Sequence, residues 1–190
     1  MAVHLTDQTL GHYRQEDLIG QGGMGSVYRA VDLNLARPVA LKVMHEELAS
    51  KPDFQEQFQN EAQAAARLDH PSIVHIYDSG QDQESPYIVM ELIPGLSLGT
   101  YINQLAASDQ VIRLDETLLL TTQVAEALGY AHRKDVLHQD IKPDNILVKE
   151  SDQAARPDEP LLRAVVTDFG LAKLKRGDIV LNEGEVVGTL

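Results

Sequence analysis

His138-Gln139-Asp140-Ile141-Lys142-Pro143-Asp144-Asn145, followed at once by Ile146-Leu147-Val148, is the stretch from which the rest of the chain can be read. A carboxylate, a lysine two residues on and a carboxamide five residues on give one short loop a proton acceptor, a cation and a neutral metal ligand. That set suits phosphoryl transfer. Asp140 could accept a hydroxyl proton, Lys142 could neutralise charge on the transferring group, and Asn145 could hold a divalent ion that bridges phosphates. The same residues also satisfy a plainer reading, a polar Pro143-Asp144-Asn145 turn ahead of a strand.

Neighbouring motifs decide between the two. Asp168-Phe169-Gly170 lies downstream, and Gly20-Gln21-Gly22-Gly23-Met24-Gly25 and Val39-Ala40-Leu41-Lys42 lie upstream. Their order is that of the protein-kinase signature set. The chain therefore resembles the eukaryotic-type (Hanks-type) Ser/Thr protein kinases, and its Gly-Gly-Met-Gly loop and Tyr-Ile-Val-Met-Glu run are most similar to the bacterial members. The resemblance covers residues 13–190. It implies an α+β, two-lobed protein-kinase-like fold, with a five-stranded antiparallel small lobe over 13–92 and an incomplete, mainly helical large lobe over 93–190.

Composition agrees with that class. Of 190 residues 43% are hydrophobic, an ordinary globular share, and 16 Lys and Arg against 29 Asp and Glu leave a net charge of -13. So acidic a chain is a poor partner for nucleic acid or an anionic membrane, whereas a basic peptide substrate is compatible. The absence of cysteine excludes disulfides, thiol catalysis and Cys-ligated zinc. No signal pattern and no apolar run of roughly 18 residues is present, so the expectation is a cytoplasmic chain with no membrane segment.

A lone Gly-x-Gly-x-x-Gly is weak, so its context matters. Tyr13 to Ile19 and Ser26 to Val31 are rich in β-branched and aromatic residues, which reads as strand, glycine turn, strand. Residues 1–12 read as a frayed lead-in. A Rossmann loop would open a helix after its last glycine and a Walker loop would continue Gly-Lys-Ser/Thr, and neither follows here. A hairpin lid remains, in which Gly20, Gly22 and Gly25 let backbone amides approach phosphates.

Val39 to Val43 reads as a third strand with Lys42 among apolar residues, where a lysine needs a partner. A helix should follow, with a capping box over Ser50 to Asp53, Pro52 in its first turn, and an apolar stripe of Phe54, Phe58, Ala62, Ala65 and Leu68. Glu61 matches the helix glutamate that the family pairs with its strand lysine; Glu56 is equally available by composition. The helix is rich in alanine, which predicts loose packing against the large lobe. Ile73 to Tyr77 and Tyr87 to Leu92 complete five strands, joined by a polar turn over Asp78 to Pro86. By resemblance, Met90, Glu91 and Ile93 belong to a hinge that meets the adenine edge, and Val27, Ala40 and Leu147 sandwich the ring. The plainer reading of these apolar residues is ordinary core.

Helical spacing predicts a short helix over Leu98 to Leu105 and a long one over Asp115 to Lys134, with Leu118, Val124, Leu128 and Ala131 at helical spacings. Ile146 to Val148 and Ala164 to Thr167 read as a hairpin, with an acidic surface insertion over 149–161 between them. Asp168 follows, where it could reach a magnesium ion together with Asn145. His138 is expected to be a prop beneath Phe169 rather than a base. His70 and His75, five residues apart across a proline, form no credible ligand set.

Two departures from the family stand out. Gln139 occupies the place of an arginine that receives an activation-loop phosphate, and residues 168–188 contain no Ser, Thr or Tyr, while Glu183 and Glu185 already supply carboxylates. Together these predict activity independent of loop phosphorylation. The chain also stops at Val187-Gly188-Thr189-Leu190, within the family's activation segment, so a large lobe lacking its later helices is expected to be unstable. The implied function is ATP-dependent, magnesium-assisted phosphorylation of protein Ser or Thr, which Lys142 and Thr189 favour over Tyr. Asp140, Lys142, Lys42 and Glu61 would be catalytic, and Asn145 and Asp168 metal ligands. The alternative is a catalytically inactive nucleotide-binding or interaction module left by truncation.

Overall fold

The computed structural model describes residues 8–82, 85–150 and 162–169, and of Glu61 the backbone only. Residues 151–161 of the insertion expected over 149–161, and Gly170 with the rest of the activation segment to Leu190, lie outside the described residues.

Part of the expected lead-in is ordered structure. Thr9–Leu10 forms strand β1, paired to Arg14 and Tyr13 of β2 (Tyr13–Gln21). Gly11 makes the tight reversal at φ +58°, which a side-chain-bearing residue rarely adopts, and its N–H donates to Asp82 Oδ2 at 2.7 Å. Burial of Leu10 against Tyr13, Ala30, Val39, Leu41, Tyr87 and Val89 holds the strand down. Among the described residues the small-lobe sheet thus has six strands, the five expected plus β1.

β3 (Gly25–Asp32) and β4 (Arg37–Met44) follow, then a short helix α1 (Glu46–Ala49) and the longer α2 (Pro52–Ala65). With β5 (Ile76–Asp82) and β6 (Ser85–Met90) the antiparallel order is β1-β2-β3-β4-β6-β5. β4 is buried on both faces, which explains its nearly continuous apolar run. Val39 and Leu41 pack on one side with the tyrosines, while Ala40 and Met44 pack on the other with Phe58 and Ala62 of α2. Alternation puts Lys42 on the Ala40 face, toward α2.

Three details of this lobe differ from expectation. No capping box forms at Ser50, which instead ends α1; the N-cap of α2 is Lys51 with no side-chain cap, and Pro52 supplies the rigid first turn. The supposed polar turn over 78–86 is mostly strand: β5 lies at the sheet edge, where polar side chains on exposed faces are tolerated. Ile73 is not in β5 but makes a parallel bridge to Val166, linking the two lobes. The alanines also pack closely rather than loosely. Ala64 and Ala65 join Leu68, Ala127, Ala131, Val136, Val166 and Phe169 in one buried cluster.

The second sheet orders β7 (Leu96–Ser97), β8 (Ile146–Glu150) and β9 (Leu162–Val166) side by side. α3 (Leu98–Ala107) starts where Ser97 Oγ accepts the Thr100 N–H at 3.1 Å. α4 (Leu114–Arg133) buries Leu120, Ala127 and Ala131; of the expected stripe Val124 and Ala131 pack inward, while Leu118 is 59% exposed and Leu120 takes its place in the core. Gln123 sets the helix's register by bracketing β9: its Nε2 donates to Leu162 O at 3.1 Å and its Oε1 accepts Ala164 N–H at 2.7 Å. α4 and β8 therefore hold the two ends of the octet. No helix of the described residues is long and apolar enough to cross a membrane.

Candidate active site

The octet lies between α4 and β8 and is folded onto the end of β9. His138 is 2% exposed; its Nε2–H donates to Thr167 O at 2.8 Å, and its Nδ1 accepts the Asp140 N–H at 3.3 Å. Its ring centre is 4.6 Å from that of Phe169, so the expected prop beneath Phe169 is present. Burial pushes the imidazole below its ordinary range, despite the Thr167 carbonyl and the nearby carboxylates of Asp168 and Asp140. One neutral ring, donor on one side and acceptor on the other, joins the two chain segments.

Asp140, Lys142 and Asn145 converge as the sequence suggested. Lys142 Nζ donates to Asp140 Oδ2 at 2.8 Å. Asn145 Nδ2 donates to Asp140 O at 2.8 Å and to Oδ2 at 3.2 Å, across the 3-10 turn Pro143–Asn145. Chiefly through the Lys142 hydrogen bond, the Asp140 carboxyl is held below its ordinary range, while the same bond raises Lys142. Both are partly exposed, at 36% and 50% of their side-chain surface, so a substrate can reach them.

Across the site, Lys42 Nζ donates to Asp168 Oδ1 at 2.9 Å, which gives this nearly buried lysine an anionic partner. α2 carries Glu61 past this region, but the Glu61 side chain, and with it the expected pair, lies outside the description. Gln139 and Asp168 adopt φ +64° and +56°, left-handed values that non-glycine residues take at a cost. These two residues sit at the two segments that His138 joins, while Ala36, Asp109 and Asp135 take left-handed values elsewhere.

Thr167 was missed in the sequence. Its N–H and Oγ1 both donate to Asn145 O, at 2.9 and 3.3 Å, while its carbonyl accepts from His138. The signal was its place directly before Asp168, which only the folded hairpin turns into contact with Asn145.

The predicted adenine-site residues also gather. Ala40, Met90 and Ile93 are buried in one cluster with Val27 and Leu147 packed against it. Glu91 N–H donates to His75 O at 2.8 Å, and the Glu91 carboxylate lies 3.9 Å from Lys149 Nζ, a lysine the sequence did not single out. In the glycine loop, Gly20 pairs with Val27 and Gly22 N–H donates to Gly25 O at 2.9 Å. A groove of about 630 Å³ on α4, lined in part by His70, Thr122, Glu126 and Arg133, shares none of these residues.

A divalent cation can be tested against the donors present. Both Nδ2 bonds of Asn145 go to Asp140, which leaves its carboxamide oxygen as the acceptor it offers, and Asp168 adds carboxylate oxygens. Among the described residues no cluster of three His, Cys, Asp or Glu could cage a metal alone. One carboxylate with one amide oxygen fits magnesium, which commonly takes its remaining ligands from water and substrate phosphates.

The sequence profile of the protein kinase domain matches residues 13–189. The chain is 36% identical to the serine/threonine-protein kinase PrkC of Bacillus subtilis, over 95% of this chain and 26% of that protein. It is 37% identical to the serine/threonine-protein kinase PknA of Mycobacterium tuberculosis, over 94% of this chain and 39% of that one. It therefore spans well under half the length of these relatives. The solved PknI kinase domain of Mycobacterium tuberculosis superposes with a TM-score of 0.71 at 30% identity, covering 88% of this chain and 63% of that one. With the profile matching nearly the whole of this chain, and with the loop, lysine and aspartate brought together, the chain belongs to the protein kinase domain family, among the bacterial serine/threonine-protein kinases.

Proposed function

We propose that this chain carries the nucleotide-binding and catalytic machinery of an ATP-dependent protein Ser/Thr kinase, with residues 13–92 as its small lobe and 93–190 as part of its large lobe. The observation that carries the reading is the convergence of Asp140, Lys142 and Asn145 in one hydrogen-bonded set, with the Lys42–Asp168 pair held to it through Thr167 and His138.

In this reading Val27, Ala40 and Leu147 enclose the adenine ring and Met90, Glu91 and Ile93 form its hinge edge. Gly20, Gly22 and Gly25 bring backbone amides to the phosphates. Lys42, steadied by Glu61, binds the α- and β-phosphates. Asn145 and Asp168 hold magnesium, which when bound offsets the negative charge of the phosphates. Asp140, kept ionised by Lys142, orients the substrate hydroxyl and takes its proton as the hydroxyl oxygen bonds to the γ-phosphorus. The bond to the β-phosphate oxygen breaks and ADP leaves, with Lys142 beside the equatorial oxygens. A cytoplasmic location, where ATP is supplied, and protein rather than nucleic-acid partners complete the reading.

A second reading takes the same residues as a module that binds nucleotide without transfer. Incubation with γ-labelled ATP, magnesium and a basic Ser/Thr-containing protein separates them. Transfer by the wild type that is abolished in Asp140→Asn supports the kinase; binding of Mg-ATP with no transfer supports the module; transfer unchanged in Asp140→Asn refutes the assigned base.

A further inference from the structure

We infer that His45 is a positioning residue for the glycine loop, fixing the backbone that faces the nucleotide phosphates. The inference rests on the nucleotide-site reading above and adds to it a residue outside every motif that led there.

His45 touches the loop twice. Its Nε2–H donates to Gly22 O at 2.9 Å, and its backbone N–H donates to Met24 O at 3.0 Å. The loop's base is secured separately, by Gly22 N–H to Gly25 O at 2.9 Å and by the pairing of Gly25 with Met44. Its tip is not secured by packing, since a Cβ built on Gly23 meets nothing within 4 Å. The bond to Gly22 O thus falls on the peptide between two glycines, the kind of unit that turns over most easily.

Orientation of that peptide matters to an anion. In a planar trans peptide the carbonyl and the following N–H point in opposite directions, so holding Gly22 O toward His45 aims the Gly23 N–H away from it. Phosphate oxygens are bound by such N–H groups and repelled by carbonyls. A turned-over peptide would present the wrong group.

His45 also connects the loop to the rest of the site. It follows Lys42 by three residues, directly after the end of β4, and its carbonyl accepts the N–H groups of Leu48 and Ala49 to start α1. α1 leads into α2, which carries Glu61. One residue therefore ties the glycine loop, the lysine strand and the helical arm together.

The test is calorimetric titration of the chain with Mg-ATP and, separately, adenosine, for wild type, His45→Ala and His45→Gln. The Gln amide can still donate to Gly22 O. Loss of one exposed hydrogen bond predicts a roughly three- to tenfold weaker Mg-ATP affinity for His45→Ala, with most of it restored in His45→Gln. Adenosine affinity and the ligand-free melting temperature stay at wild-type values, because neither depends on the phosphate loop. Equal weakening toward adenosine, an unchanged Mg-ATP affinity in His45→Ala, or no rescue by Gln would overturn the inference while leaving the nucleotide site standing. A wild type that binds neither ligand would overturn the nucleotide reading, and this inference with it.

Discussion

Gly25→Ala separates two roles that the glycine loop combines. A Cβ at Gly25 would lie 2.2 Å from Val43 O, 3.0 Å from Val43 C and 3.2 Å from Met44 Cα, all backbone atoms of the neighbouring strand. None can rotate aside, so β3 must shift against β4 at the residue where their pairing begins. Forcing a methyl into such a site costs about 1–3 kcal/mol. For a chain of this size that is a drop of roughly 2–12 °C in melting temperature, at about 2–4 °C per kcal/mol. At Gly20 the nearest atom is Val27 Cβ at 3.7 Å, an ordinary contact, and at Gly23 there is open space. Gly20→Ala and Gly23→Ala should melt within about 1–2 °C of wild type, a surface-scale change. Differential scanning fluorimetry on the ligand-free chain measures all three. A Gly25→Ala protein that melts with the other two would show that the strand accommodates the methyl, and would return Gly25 to a purely ligand-facing role.

Two further outcomes concern protons. His138 is neutral and held below its ordinary value of 6.5 by burial, so on acidification the unfolded chain takes up a proton that the folded chain refuses. Stability is therefore lost as pH falls through about 6.5 and levels off only below the lowered folded value; urea titrations from pH 7.5 to 5 should show that slope, at most about 1.4 kcal/mol per pH unit from this group, reduced in His138→Phe. An equal slope in the variant would assign it to other histidines. Asp140 is held low chiefly by Lys142, so Lys142→Ala should move the acidic limb of phosphoryl transfer to higher pH, besides lowering the rate by about 10²-fold. An unmoved limb would remove Lys142 as the cause.

The chain's motifs were legible because each carries its chemistry in a short span. The glycine run between two β-rich segments, a lysine in an apolar strand and a carboxylate-lysine-carboxamide loop all kept their expected surroundings. Features set by tertiary contact were not legible. β1 is two residues long, and only burial of Leu10 makes it a strand. β5 has the polar composition of a turn because it is an edge strand. The Ser50 to Asp53 pattern is a capping box in spacing, but α1 ends on Ser50 and uses it up. Leu118 and Leu120 fit a helical stripe equally well, and Gln123 bonding to β9 selects Leu120. Thr167 and His45 act through backbone carbonyls of residues 22 positions away and more, which no local pattern encodes.

Lys42, Asn145 and Asp168 are proposed to form one site for a nucleotide and its cation. This site is tested most directly by equilibrium binding of a fluorescent ATP analogue with and without magnesium, in wild type and Asp168→Ala. Magnesium should tighten wild-type binding by about tenfold or more, the scale of one charge-assisted contact, and Asp168→Ala should remove this gain. Equal binding with and without magnesium, or a magnesium effect that survives in Asp168→Ala, would contradict it.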